Sequence, residues 1–163
     1  MRELILLRHA EAMQIALGDS DRARPLSLRG EQEAREAGAW LRQQGAIPDA
    51  VLCSPARRAQ MTVERVLDAL FAHPVASSVA KFVPEIYEAT PGTLLSLLEL
   101  HAPGSRQILL VGHNPGMEQL LALLISGRSP DARGLPPAGL AWVEFPDSGF
   151  EPGSARLRAF WSP

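Results

Sequence analysis

Apolar residues along the chain fall into short continuous runs that alternate with longer segments of helical periodicity. The runs at 4–7, 50–52 and 107–111 have the length and composition typical of strands buried on both faces. Between them, apolar residues recur at spacings of three and four in segments 28–44, 57–70 and 91–101, and again after residue 115. This alternation of strands and helices predicts an α/β protein with a mostly parallel sheet and right-handed crossovers.

Each predicted helix begins at a small polar residue suited to capping it. Ser27 precedes the first helix, and the other three helices begin at a polar residue followed by proline, a pattern favoured at the first helical position. These pairs are Ser54-Pro55, Thr90-Pro91 and Asn114-Pro115. We therefore expect the serine, threonine or asparagine to act as the N-cap and the proline to be the first residue of the helix.

The remaining segments complete the predicted sheet and its loops. Residues 79–83 are a third candidate strand, and 140–145 and 156–161 alternate in polarity, which predicts a hairpin at one edge of the sheet. Segments 12–25 and 126–138 lack any period and are expected to be loops, and the second is a candidate flap over the site. With no repeat or linker visible, residues 1–163 are expected to form a single domain.

Composition narrows the class of protein. The chain has 163 residues, is 46% hydrophobic and carries a formal charge of −2, so no basic field favours nucleic acid or an anionic membrane. Cys53 is the only cysteine, which excludes an internal disulfide. No apolar run approaches the ~20 residues of a membrane span, and no signal peptide is evident. We expect a soluble, cytoplasmic protein.

The candidate chemistry lies where the predicted strands end. Arg8 and His9 follow the first strand, Arg58 follows the second and His113 follows the strongest one. The carboxyl ends of parallel strands meet at one edge of the sheet, where α/β proteins bind ligands. Two of these strand ends lead into helix N-termini, which offer free N–H groups to an anion. Together the groups predict a pocket for a dianionic phosphoryl group.

A metal or nucleotide site is the main alternative for these residues. The four histidines include no pair spaced by four residues and no accompanying cysteine cluster. They are His9, His73, His101 and His113. His73 and His101 fall near helix ends, where a structural or solvated role is expected, and no glycine-rich nucleotide loop is present. We expect no metal and no cofactor.

Three motifs, taken together, resemble the histidine phosphatase superfamily. They are Arg8-His9-Ala10, Ser54-Pro55-x-x-Arg58-Ala59-x-x-Thr62 and Gly112-His113-Asn114-Pro115. The likeness extends to Asp21-x-x-Arg24-Pro25-Leu26-Ser27-x-x-Gly30 and is strongest to the short bacterial branch called SixA, whose members are phosphohistidine phosphatases. Ala10 stands where the superfamily usually has glycine. The resemblance implies a three-layer α/β/α fold of the phosphoglycerate mutase type.

The resemblance and the strand-end residues together imply a mechanism. His9 would attack phosphorus as a neutral imidazole, with its other ring nitrogen donating to a backbone carbonyl. Arg8, Arg58 and a protonated His113 would stabilise the transferring phosphoryl group. Arg24 resembles a residue near the pocket of this branch, although pairing with Asp21 is an equal alternative.

The sequence leaves the general acid open. Glu88, which precedes the predicted cap Thr90, is the main candidate, with Glu85 and Glu11 as others; a solvated loop carboxylate is the alternative reading of Glu88. Arg57 is expected to be solvated.

The expected function is therefore that of a metal-independent phosphatase with a phosphohistidine enzyme intermediate. Its expected partner is a phosphotransfer protein that carries phosphohistidine, and its product is inorganic phosphate. The alternatives are a phosphatase of small phosphomonoesters and a catalytically weak phospho-binding module. The intact set of Arg8, His9, Arg58 and His113 argues against the binding module.

Overall fold

The computed structural model describes residues 1–74, 79–132, 134–146 and 149–163. The strands are β1 (Arg2–Arg8), β2 (Ala50–Cys53), β3 (Lys81–Phe82), β4 (Gln107–Gly112), β5 (Leu140–Phe145) and β6 (Arg156–Trp161). The helices are α1 (Leu28–Gln43), α2 (Arg57–Phe71), α3 (Pro91–His101) and α4 (Gly116–Ser126). Short 3₁₀ turns cover Asp21–Ala23, Pro84–Ile86 and Ser129–Asp131.

The strands form one six-stranded sheet in the order β3-β2-β4-β1-β5-β6. The first four of these are mutually parallel. At the other side of the sheet, β5 is antiparallel to β1, and β6 is antiparallel to β5. Leu7 of β1 and Cys53 of β2 are both paired with Val111 of β4. Because β1, β2 and β4 end at the same level, the residues that follow them start from the same edge.

The sheet separates two apolar cores, which confirms the three-layer α/β/α fold with an antiparallel edge. Ile5 and Leu7 of β1 face the core formed with α1 and α2. Leu4 and Leu6 of the same strand face the core formed with α3 and α4. A strand covered on both faces needs apolar residues at consecutive positions, and this accounts for the continuous run at the start of the chain.

Two of the four predicted helix caps are confirmed. The Ser27 hydroxyl accepts a hydrogen bond from the Gly30 amide at 3.0 Å, and the Thr90 hydroxyl accepts one from the Thr93 amide at 3.2 Å. The hydroxyl in each case satisfies an amide that the first turn of the helix leaves without a partner.

The other two predicted helix starts are wrong, that of α2 by two residues and that of α4 by one residue. Helix α2 begins after Ala56 rather than after Ser54, and α4 begins after Pro115 rather than after Asn114. Both polar side chains have tertiary partners: Ser54 bonds His113, and the side-chain amide of Asn114 donates to the Leu135 carbonyl. The Asn114 side-chain oxygen nevertheless accepts from the Glu118 amide in the first turn of α4 at 3.3 Å, so this residue still satisfies one amide of the helix.

The edges and loops follow the predictions closely. The bounds of β5 and β6 match the predicted hairpin, whereas β3 is confined to two residues of the expected 79–83. Segment 126–138 contains the end of α4 and a 3₁₀ turn, and Arg133 within it lies outside the described residues. Among the described helices, none is long and apolar enough to cross a membrane.

Candidate active site

The edge of the sheet brings together the four residues expected from the sequence. The ring centroids of His9 and His113 are 5.1 Å apart. The Nε atom of Arg58 lies 3.4 Å from Nε2 of His9. Arg8, at the end of β1, is close enough for its charge to lower the pKa of both histidines. Three strand ends that are far apart in the sequence thus form one cationic pocket.

His9 is held with one nitrogen engaged and the other directed to Arg58. Its Nδ1 lies 2.7 Å from the Ala10 carbonyl, an acceptor, so the geometry assigns the proton to Nδ1. Burial is the main cause that lowers the pKa of His9 to about 4, with the charges of Arg58 and Arg8 acting in the same direction. At neutral pH the imidazole is therefore uncharged, with a lone pair on Nε2.

His113 is held by Ser54, a residue with no solvent exposure. Its Nε2 lies 2.7 Å from the Ser54 hydroxyl, which also accepts from the Ala56 amide at 3.3 Å. Nε2 is the acceptor that the described residues offer to the hydrogen of this buried hydroxyl, and we therefore assign the His113 proton to Nδ1. Nδ1 is buried and has no partner within the described part of the chain.

Burial opposes the positive charge that the sequence led us to expect on His113. Burial is the main cause that lowers the pKa of His113 to about 3, and His9 and Arg58 lower it further. A neutral His113 with its proton on Nδ1 is nevertheless a hydrogen-bond donor. The sequence could not reveal this, because the depressed pKa arises from packing against residues of other elements.

Arg8 contributes a second unpartnered donor. Its Nη1 donates to the Leu135 carbonyl at 3.0 Å, but its Nε is buried without a partner among the described residues. Burial also lowers the pKa of Arg8, and the charge of Glu118 opposes that shift. Buried donors are rarely left unpaired in proteins, so Arg8 Nε and His113 Nδ1 mark a place where an acceptor fits.

Arg58 is fixed by Asp21, whose role the sequence analysis missed. The Asp21 carbonyl accepts from Arg58 Nη1 at 2.8 Å, and its carboxylate accepts from Nη2 at 3.0 Å. The Tyr87 hydroxyl also donates to this carboxylate, and the Tyr87 ring meets His113 edge-on at 5.4 Å. These contacts leave Arg58 Nε facing His9. Arg58 is 6% exposed, so its guanidinium is held inside the protein.

Asp21 is an anion in this setting. The hydrogen bond from Tyr87 is the largest cause that holds its pKa well below the usual range, and bonds from Arg24 and Arg58 add to it. Asp21 is therefore unsuited to donating a proton. The motif Asp21-x-x-Arg24 was the sequence signal that Asp21 pairs with an arginine. It indicates Arg24 as the partner and does not indicate Arg58.

Arg24 bonds two groups of the loop before α1, and its charge is close enough to help lower the pKa of His9. Its Nε donates to the Met13 carbonyl at 2.8 Å, and its Nη1 donates to the Asp21 carboxylate at 3.1 Å. Of the two alternatives left open by the sequence, the pairing with Asp21 is the one present. Arg57, the neighbour of Arg58, is exposed as expected.

Of the three candidate general acids, two are exposed and the third is bonded to Ser27. Glu88 is exposed and adopts a left-handed backbone conformation with φ of 58°. Glu85 is exposed, and Glu11 accepts a hydrogen bond from the Ser27 hydroxyl at 3.0 Å. Within the described ranges, no three His, Cys, Asp or Glu residues are grouped so as to hold a metal ion.

Thr62 ties the segment after His9 to α2. Its hydroxyl accepts from the Ala10 amide at 3.0 Å and donates to the Arg58 carbonyl at 2.7 Å. Both Thr62 and Ala10 are fully buried. The backbone beside His9 is therefore fastened to the first turns of the helix that carries Arg58, which keeps the two site residues in register.

Comparison with known proteins gives the same result as the geometry. The model of the histidine phosphatase superfamily, branch 1, matches residues 4–78. The phosphohistidine phosphatase SixA of Escherichia coli K12 is 32% identical over 130 residues, which cover 78% of this chain and 77% of that protein. An uncharacterised protein of Mycobacterium tuberculosis is 33% identical over 96% of this chain and 99% of its own length.

A solved structure extends the likeness to the whole fold. The protein histidine phosphatase SixA in complex with tungstate is 28% identical, covers 98% of this chain and 96% of its own, and superposes with a TM-score of 0.81. The fold and the pocket thus define a phosphatase of the three-layer α/β class. The chain belongs to the histidine phosphatase superfamily, and its relatives of known structure place it beside SixA.

Proposed function

We propose that this protein removes the phosphoryl group from phosphohistidine in a phosphotransfer protein, through a phosphohistidine intermediate on His9. One observation carries the proposal: the lone pair of a neutral His9 lies in the same pocket as two buried donors, Arg8 Nε and His113 Nδ1, that have no partner among the described residues. The related SixA proteins support it, one as a phosphohistidine phosphatase and one through its complex with tungstate, an oxyanion like phosphate.

The chemistry proceeds in two displacements on phosphorus. His9 Nε2 forms a bond to phosphorus while the bond to the substrate imidazole breaks, and that imidazole leaves with its own ring proton. Water then displaces His9 and releases inorganic phosphate. Arg8, Arg58 and the Nδ1 proton of His113 bind the phosphoryl oxygens, where transition-state charge is stabilised mainly by positioned donors.

The leaving group favours phosphohistidine over an alkyl ester. An alkoxide needs a proton to depart, and a positioned acid contributes roughly 10²- to 10⁴-fold to such a step. Asp21 is held as an anion and Glu88 is exposed, so neither is suited to that role. A protonated phosphoimidazole, by contrast, loses a neutral imidazole and needs no acid from the protein.

A competition assay tests the proposal. Wild type should prefer phosphohistidine to an alkyl phosphate by about 10²-fold or more in kcat/KM, because only the ester requires the missing acid. Rapid quench should trap a base-stable, acid-labile phosphoryl adduct that His9→Ala lacks together with its turnover, while EDTA and Glu88→Gln change little.

Two results would contradict the proposal. Turnover of His9→Ala at the wild-type rate would exclude His9 as the nucleophile. A preference for the alkyl ester that collapses in Glu88→Gln would instead identify a phosphatase of small phosphomonoesters with Glu88 as its acid.

A further inference from the structure

The loop between β1 and α1 exposes a set of apolar side chains beside the pocket. Met13 is 54% exposed, Ile15 is 55% exposed and Leu17 is fully exposed. Single exposed apolar residues are common, but three at alternating positions of one short loop leave apolar surface that water solvates poorly. We call these three side chains the loop patch.

The loop patch belongs to a segment that is fastened at its base. Ala12 and Leu26 form an antiparallel bridge, and the Met13 amide donates to the Pro25 carbonyl at 2.9 Å. The Met13 carbonyl accepts from Arg24, which also bonds the Asp21 carboxylate. The loop is therefore an ordered excursion whose exposed side chains have no role in holding it.

Both ends of this excursion lie in the active site. Met13 follows His9 by four residues, and Leu17 precedes Asp21, the partner of Arg58, by four residues. With 3.8 Å between successive Cα atoms, each lies within about 15 Å of the Cα atom of a site residue. The contacts that run from the Met13 carbonyl through Arg24 and Asp21 to Arg58 also place the start of the loop near the pocket.

The area of a typical protein–protein interface indicates which kind of substrate would cover the loop patch. A specific interface covers about 800 Å² on each partner, equivalent to a disc of about 16 Å radius. A protein that presents its phosphohistidine to His9 has a footprint large enough to reach the loop at 13–17. A small phosphorylated molecule, which is bound by the pocket itself, would leave these side chains exposed.

We propose that Met13, Ile15 and Leu17 are the docking surface for the protein that carries the phosphohistidine, and that they contact an apolar area next to that histidine. This inference rests on the proposed function and adds to it the basis for selecting a protein over a small substrate. The phosphoryl group is recognised by the pocket, whereas the protein is recognised by the loop patch.

Two substrates with the same leaving group separate these contributions. One is an isolated phosphotransfer domain phosphorylated on its histidine with phosphoramidate, and the other is free phosphohistidine. The test variant is the triple change Met13→Ser, Ile15→Ser and Leu17→Ser. Ile47→Ser is the matched control, because Ile47 is 76% exposed and its amide bonds the side chain of Gln107, at the opposite end of β4 from His113.

The triple variant should lose about tenfold or more in kcat/KM on the phosphorylated domain, mainly through KM, since buried apolar contacts dominate binding. Its kcat/KM on free phosphohistidine should stay within about twofold of wild type, which also shows that it is folded. Ile47→Ser should change neither value.

The outcomes distinguish this inference from the proposed function. If the triple variant hydrolyses the phosphorylated domain as well as wild type does, the loop patch is not the docking surface. An equal loss on both substrates would also overturn the inference, because the loop would then act through the pocket. If wild type hydrolyses neither phosphohistidine substrate but does cleave phosphomonoesters, the proposed function fails and the inference fails with it.

Discussion

Among single residues, Ser54 has the most specific influence on the chemistry. It is fully buried, it accepts from the Ala56 amide, and it bonds Nε2 of His113. This arrangement leaves the proton of a neutral His113 on Nδ1, the nitrogen that has no partner in the described chain. In the proposed mechanism Ser54 is therefore a positioning residue, because its bond to Nε2 leaves Nδ1 of His113 to donate to the phosphoryl group.

Replacing Ser54 with alanine should lower kcat by about tenfold while changing KM little, because His113 loses the bond that orients its ring. Ser54→Thr, which keeps the hydroxyl, should retain more activity. NMR of the ring nitrogens should show mixed tautomers of His113 in Ser54→Ala alone. Ser96→Ala, which removes an exposed hydroxyl bonded to the Gly92 carbonyl of α3, is the control. An unchanged tautomer in Ser54→Ala would contradict this role.

Between elements, the turn Asp21–Ala23 determines how α2 presents its arginine. Both the carbonyl and the carboxylate of Asp21 bind the terminal nitrogens of Arg58, so only Nε faces His9. A cation in the first turn of a helix is disfavoured by the helix dipole. The carboxylate of Asp21 offsets this effect, because it places an anion next to Arg58 in the first turn of α2.

Asp21→Asn should separate catalysis from binding. Arg58 loses its charged partner and its orientation, which should lower kcat by about 10- to 100-fold. The pocket also loses a negative charge, so inorganic phosphate should inhibit the variant at least as strongly as wild type. Asp19→Asn, an exposed change in the same loop, should leave both values unaltered. Weaker phosphate inhibition in Asp21→Asn would show that Asp21 supports binding instead.

The sequence predicts the ends of an element well where the residues that determine them are neighbours in the chain. The strand ends at His9 and His113 could be recognised because a continuous apolar run stops at a charged or titratable residue. The caps at Ser54 and Asn114 were mispredicted because the same side chains have tertiary partners, His113 and Leu135, that are invisible in a local pattern. Asp21 was overlooked as a partner of Arg58 for the same reason.

For the molecule as a whole, the pocket makes stability depend on pH. The pKa values of His9 and His113, about 4 and about 3, lie below the usual value of 6.5 that applies in the unfolded chain. Between these values the unfolded chain binds more protons than the folded protein, so stability is present above pH 6.5 and is lost as the pH falls. The pKa of Asp21 is also lowered, and its contribution is lost only below the usual value of 3.8.

Urea unfolding should therefore show a loss of free energy of unfolding between about pH 7 and about pH 5, of about 1–2 kcal/mol for each of the two histidines. His113→Gln should reduce this loss by about half, because one of the two groups no longer titrates. A variant of the exposed His73 to Gln should retain the wild-type dependence. A flat profile for wild type would mean that the two imidazoles are not buried in the neutral form.

The position of β4 in the sheet has a consequence for the order in which the protein can be assembled. Strand β1 leads to His9, and β2 leads to Arg58. These two strands do not pair with each other, because β4 lies between them and is hydrogen-bonded to both. A ribosome releases β4 last of the three, so the sheet and the pocket must wait for a distant segment, and contacts of such long sequence separation form slowly. A nascent chain can therefore expose His9, the proposed nucleophile, long before the pocket around it forms, so phosphatase activity would report that the central strand has been inserted.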